Sequence, residues 1–156
     1  MKKLGAVIAG GAALASSAAA QTGDILFNGT VAGACTIVTD NNGTLGLNGL
    51  STVLASTETG GAAGQATVTT NDGSFSVSID NITSFTTGPG DADTNTTFAT
   101  TYDASGATTA TGVTGSTSTS LGAGVTTLSV DASATKTSGT FSAGSYQLTA
   151  TVRCTG

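Results

Sequence analysis

Polar and apolar residues alternate along most of this chain. Ile25, Phe27, Gly29, Val31, Gly33, Cys35 and Ile37 occupy every second position, and Tyr146, Leu148, Ala150, Val152 and Cys154 do the same near the other end. Side chains of a strand point alternately to its two faces, so each set predicts a strand with one apolar face. Shorter runs repeat the pattern: Leu45 and Leu47; Ala66 and Val68 within 65–70; Phe75, Val77 and Ile79 between Ser74, Ser76, Ser78 and Asp80; Phe98, Thr100 and Tyr102; Leu128, Val130 and Ala132. No window carries the i, i+3, i+4 stripe of an amphipathic helix. Roughly six to eight short strands separated by turn residues predict an all-β antiparallel sandwich.

The punctuation supports this reading. Asn42-Gly43 and Asn71-Asp72-Gly73 suit tight connections with positive φ, and the second predicts a hairpin joining 66–70 to 75–79. Gly88-Pro89-Gly90 breaks the chain before Asp91. The stretch 105–124 is poor in large apolar residues and predicts a long, mobile hairpin or loop anchored by Val113 and Leu121.

The first residues read differently. Met1-Lys2-Lys3 is basic, Leu4 to Ala15 is apolar, and Ala18-Ala19-Ala20 offers small residues for cleavage, the three parts of a secretory signal peptide. The apolar run is shorter than the roughly 20 residues that span a bilayer. Cleavage after Ala20 removes 20 of 156 residues and leaves 136, beginning at Gln21, enough for one domain. It also removes Lys2 and Lys3, so Lys136 and Arg153 face nine acids, a formal charge of −7. That balance argues against nucleic acid and against an anionic membrane surface, both of which are bound through Lys and Arg. The acids are scattered singly and read as solvated charges.

The two cysteines sit on the apolar phases of the first and last predicted strands. In an exported protein such a pair predicts a disulfide between Cys35 and Cys154. With no histidine in the sequence, His-based acid–base chemistry and His-containing metal sites are excluded. The Ser and Thr hydroxyls lack an evident activating base, and no spacing among the nine acids suggests a paired-carboxylate site. No enzyme and no cofactor are predicted.

Asp91, Asp93 and Asn95 place oxygen ligands at every second position, like the start of a calcium loop. The sixth position holds Thr96 instead of glycine and the twelfth holds Tyr102 instead of glutamate, so a polar loop is the preferred reading. Asn28, Asn42, Asn81 and Asn95 begin glycosylation-type triplets that arise cheaply in a sequence rich in Asn and Thr. The threonines form no ladder of fixed period, as an ice-binding solenoid would require. The aromatics lie mostly on apolar strand phases and read as core; there is no Trp to build a glycan platform.

Three segments resemble pilin subunits of the chaperone–usher pathway, especially the archaic, spore-coat-U-like group. Thr22-Gly23-Asp24-Ile25-Leu26-Phe27 leads by alternation into Cys35-Thr36-Ile37-Val38; Gly64-Gln65-Ala66-Thr67-Val68-Thr69-Thr70 is similar to a strand following a small-residue turn; Ala143-Gly144-Ser145-Tyr146 runs into Leu148-Thr149-Ala150-Thr151-Val152, like the pilin C-terminal strand. The resemblance implies an immunoglobulin-like sandwich lacking one strand. A periplasmic chaperone fills the gap until the N-terminal strand of the next subunit replaces it at an outer-membrane usher, which is β-strand addition. It further implies 21–33 as the donor strand, with Ile25, Phe27 and Val31 as anchors and Gly29 at a narrow point of the groove. Partners would be identical or related pilin subunits, and the location the periplasm in transit, then the cell surface.

One departure stands out. In the archaic group the first cysteine usually pairs with one near the end of the second main strand. Here that place holds Thr70, and the partner is Cys154. The plain alternative for 24–31 is an ordinary first strand paired within its own chain. The expectation is a fimbrial or surface-structure subunit supporting adhesion, with a monomeric secreted binding module for glycan or protein as the other reading.

Overall fold

The computed structural model describes residues 21–156, so the leader expected at 1–20 lies outside the described residues. The protein divides into two units at Val31/Ala32. In the first, residues 21–31 form neither strand nor helix. Ile25, Leu26, Phe27 and Val31 there are 80%, 81%, 88% and 85% exposed. The strand expected to run continuously from Ile25 to Ile37 therefore starts only at Cys35.

The second unit is built from ten strands: β1 (Cys35–Asn41), β2 (Gly46–Leu47), β3 (Val53–Ala55), β4 (Gly64–Thr70), β5 (Ser76–Ile79), β6 (Thr96–Gly106), β7 (Ala110–Thr114), β8 (Thr119–Ser120), β9 (Gly124–Lys136) and β10 (Val152–Thr155). Every pairing is antiparallel. The 13-residue β9 is the spine of the larger sheet. On one flank it pairs with β6 along Thr126–Lys136. Its other flank is shared end to end by β4 and β3, which carry β1 and β2 outside them. β7 pairs with the outer side of β6. The smaller sheet runs β10-β5-β8.

Alternation along these strands decides what lies between the sheets. β4 turns Ala66 and Val68 inward, β5 Val77 and Ile79, β6 Tyr102 and Ala104, and β9 Leu128; with Leu121 most of these form one apolar cluster drawn from both sheets. Leu54, Phe85, Ala92, Ala134 and Phe141 form a second cluster, with Phe85 edge-to-face on Phe98, Phe141 and Tyr146 at centroid distances of 5.2, 5.9 and 5.1 Å. Buried Tyr102 meets its polar requirement through Val77 O, Thr117 O and the Thr119 hydroxyl, the last at 2.6 Å. This is an immunoglobulin-like antiparallel β-sandwich, and no helix occurs among the described residues. None of the described residues forms a helix long and apolar enough to cross a membrane.

The expected hairpin between 66–70 and 75–79 does not form. β4 belongs to the larger sheet and β5 to the smaller, so residues 71–75 cross the sandwich. Positive φ is absent at Asn42, Gly43, Asn71, Asp72 and Gly73, which removes the left-handed turn on which the expectation rested. Asn71 instead spends its side chain on 32–34, accepting from Ala34 N and donating to Ala32 O. The stretch 105–124 is also more ordered than expected, because it contains β7 and β8. Where β6 ends, Gly106 has φ +109°, and a Cβ there would stand 2.5 Å from Val125 O, so only glycine fits.

Candidate functional site

The last expected strand, Tyr146 to Cys154, is ladder-paired only in β10. Its earlier part, 146–151, is held from one side. Gln147 exchanges backbone hydrogen bonds with Thr87 and its carbonyl also accepts from Thr86 N at 2.8 Å; Asp80 N donates to Thr151 O at 2.9 Å. The hydroxyls of Thr86 and Thr149 lie 2.8 Å apart. Tyr146 is fixed by its stacking on Phe85 and Phe141 and by donating to Ser142 O at 2.6 Å. Removal from water raises the Tyr146 pKa, and the Asp91 charge adds to that.

Among the described residues the backbone of this segment has no partner on its other side. Neither Leu148 nor Ala150 makes a backbone hydrogen bond to another described residue. A groove of about 610 Å³ opens beside them. Its floor is Ala66, Val130 and Ala132, its far wall is Thr39, Asn41 and Leu45, and its near wall is Tyr146, Leu148, Ala150 and Val152. Leu148 and Tyr146 pack on the aromatic cluster, Ala150 and Val152 on the other. The groove therefore runs over the seam between the two halves of the core. The rim is polar: Gln65, Thr44, Gln147 and Thr149.

The two walls are tied at one end. Cys35 opens β1 and Cys154 lies in β10, and they are joined by a disulfide with Cα atoms 6.5 Å apart across 119 positions of sequence. β1 and β10 belong to different sheets, so the bond links two layers that share no hydrogen-bond ladder. Thr70 stands directly opposite Cys35 in the β1–β4 register, in the place where the resemblance expects the second cysteine. Its hydroxyl instead donates to Gly122 O at 2.9 Å. The bond is consistent with an oxidising compartment.

The oxygen-rich loop after Gly90 is committed to other contacts. Asp91 accepts from the Ser142 hydroxyl at 2.6 Å, which holds its carboxyl below the usual range, and Asp93 accepts from Phe85 N at 2.9 Å. Asn95 has φ +51° and its carbonyl accepts from Thr137 N. The Lys136 ammonium donates to the carbonyls of Asp91, Ala92 and Thr94 at 2.9, 3.1 and 2.7 Å and lies 5.1 Å from the Phe141 ring centroid. A lysine thus occupies the point where the loop carbonyls converge. Among the described residues no group of three or more His, Cys, Asp or Glu side chains is placed to hold a metal.

Ile25, Phe27, Gly29 and Val31 lie in the exposed first unit, and Cys35 and Cys154 are brought together. The groove walls at Thr39, Asn41 and Leu45 carry no sequence signal of their own beyond the short Leu45/Leu47 alternation. Alternation reports which face of a strand is apolar, but not which edge remains unpaired. Against protein-family models, curated proteins and solved structures, the sequence and fold find no match.

Proposed function

We propose that this protein is an exported subunit of a fimbria-like surface polymer, assembled by strand donation between copies. The observation that carries the reading is the edge at Leu148 and Ala150, unpaired among the described residues, beside an apolar-floored groove. An edge of this kind invites a further strand. The protein also carries a matching insert. Ile25 to Val31 is seven residues, the same length as Tyr146 to Val152, and both alternate apolar with polar. Each would extend over about 23 Å at roughly 3.3 Å per residue.

The energetics favour occupation. Ile25, Phe27 and Val31 are nearly bare to solvent. Burying each would gain about 1.5–3 kcal/mol. The groove floor is small, Ala66 and Ala132 beside Val130, and so has room for large side chains from outside. Before assembly, an exposed apolar segment and an open edge are aggregation hazards, which suits escort by a periplasmic chaperone and delivery to an outer-membrane usher. The work of the polymer would be surface association or adhesion.

The test is assembly. Protein from surface fractions should run as a ladder of multimers that collapses on heating. Deletion of 21–33 should abolish the ladder, and adding a synthetic 21–33 peptide to the deleted form should give a stable one-to-one complex. A soluble monomer of the full-length protein, with no ladder and no peptide uptake, would refute strand donation and leave a monomeric binding module.

A further inference from the structure

Asn-Gly pairs occur at Asn28-Gly29, Asn42-Gly43 and Asn48-Gly49. In such a pair the glycine nitrogen can attack the carboxamide carbon of the asparagine, because glycine carries no Cβ to obstruct it and adopts most backbone conformations. A new bond from that nitrogen to the carboxamide carbon closes a five-membered succinimide, while the bond from the same carbon to the amide nitrogen breaks and ammonia leaves. Water then opens the ring at either carbonyl, giving aspartate or isoaspartate. Approach requires a free carboxamide and a backbone that can turn.

Asn48 fails the first requirement, and Asn42-Gly43, whose carboxamide makes no hydrogen bond to a described residue, fails the second. The Asn48 carboxamide is held by three hydrogen bonds: its oxygen accepts from Thr52 N at 2.8 Å and Val53 N at 3.0 Å, and its nitrogen donates to the Thr52 hydroxyl at 3.0 Å. Asn42-Gly43 lies between β1 and the Thr44–Ala62 bridge, with Gly43 so close to a neighbouring strand that a Cβ would stand 2.9 Å from Gly64 N. Asn28 is exposed, lies outside any strand, and makes no side-chain hydrogen bond to a described residue; open space surrounds Gly29.

We propose that Asn28-Gly29 is a self-modification site, at which the unassembled protein turns Asn28 into aspartate and isoaspartate with loss of ammonia. Isoaspartate routes the backbone through the side-chain methylene, adding one backbone atom between Phe27 and Val31. Alternation depends on a strict two-residue period. The added atom therefore puts Ile25 and Phe27 out of phase with Val31, and a new carboxylate appears beside them. In an assembled strand the Gly29 nitrogen would be held in a ladder and protected. The site is then a timer that retires subunits which remain unassembled. This consequence rests on the strand-donor reading; the modification itself does not.

The experiment ages the full-length protein at mildly alkaline pH and follows Asn28, Asn42 and Asn48 by peptide mass mapping. Asn28 should convert first, and Asn48 at least about tenfold more slowly, because reaction there waits on local opening. Asn28 remaining amidated, or converting no faster than Asn48, would overturn the proposal. In parallel, aged wild type should lose assembly as isoaspartate accumulates, while aged N28Q should keep the capacity of fresh N28Q. Equal assembly by aged wild type with isoaspartate at position 28 would overturn the timer. Fresh wild type that never assembles would overturn strand donation, while the mass map still decides the modification.

Discussion

Reducing the Cys35–Cys154 bond should cost this sandwich a large share of its stability. The bond closes a loop of 119 positions. Loop-entropy reasoning for that length gives about 4.9 kcal/mol at room temperature, and removal of native disulfides from small secreted domains costs about 2–5 kcal/mol. Total stabilities are about 5–15 kcal/mol. The structural position argues for the upper part of that range. β10 pairs over only four residues with β5, and the bond is what ties it to β1 in the other sheet. The assay is equilibrium urea unfolding of oxidised protein against protein reduced and alkylated under denaturing conditions, then refolded. With a slope of about 2 kcal/mol per molar urea, a loss of about 4 kcal/mol moves the midpoint by about 2 M. The reduced protein should also show a steeper slope, since its denatured state is no longer held compact. A midpoint shift below about 0.3 M, or alkylation of two thiols in the untreated protein, would refute the reasoning.

Three further outcomes follow from single contacts. Tyr102→Phe removes the hydroxyl that meets Val77 O, Thr117 O and Thr119 Oγ1 in the core, and should cost about 1–3 kcal/mol in the same assay; a change within error would show that the network contributes nothing net. Lys136→Met strips the ammonium from the three carbonyls of 91–94 and should cost about 1–2 kcal/mol, with faster amide exchange confined to that loop; unchanged exchange there would sink the assignment. Asp80 has its pKa lowered by a bidentate hydrogen bond from Arg153, so its contribution is present above the ordinary carboxylate range and lost as pH falls through the depressed value. Asp80→Asn should therefore be less stable than wild type at neutral pH, with a deficit that narrows on acidification; a deficit that widens would contradict the sign.

Faces were legible in the sequence, and edges were not. The alternation at 66–68, 75–79, 98–102 and 128–132 marks residues that do lie inward, because a strand half-buried on one face shows its period directly. The pairing of Cys35 with Cys154 was legible for the same reason, since both stand on inward phases. The hairpin at 71–73 failed because Asn-Asp-Gly is compatible with several backbone paths, and Asn71 finds better partners in Ala32 and Ala34 than a left-handed turn would offer. β3, β7 and β8 are two to five residues long, too short for a period to emerge. The groove was illegible because an unpaired edge is a property of neighbours that the backbone lacks, and the order of residues does not encode it.

The choice of Cys154, not a residue of β4, as the partner of Cys35 decides what the disulfide does. Joined to β4, Cys35 would staple two strands already paired over the register from Cys35 to Asn41, and the bond would add little geometry of its own. Joined to Cys154, it crosses from one sheet to the other and fixes the spacing of the groove walls at one end. At the far end Leu45 of one wall and Tyr146 and Leu148 of the other pack against the same aromatic cluster. An open groove between two layers would otherwise tend to collapse, because its apolar floor gains by closing. The covalent tie at one end and the shared aromatic cluster at the other oppose that collapse, so in the proposed assembly an arriving strand would meet walls already in place and lose less of its binding energy to reorganisation.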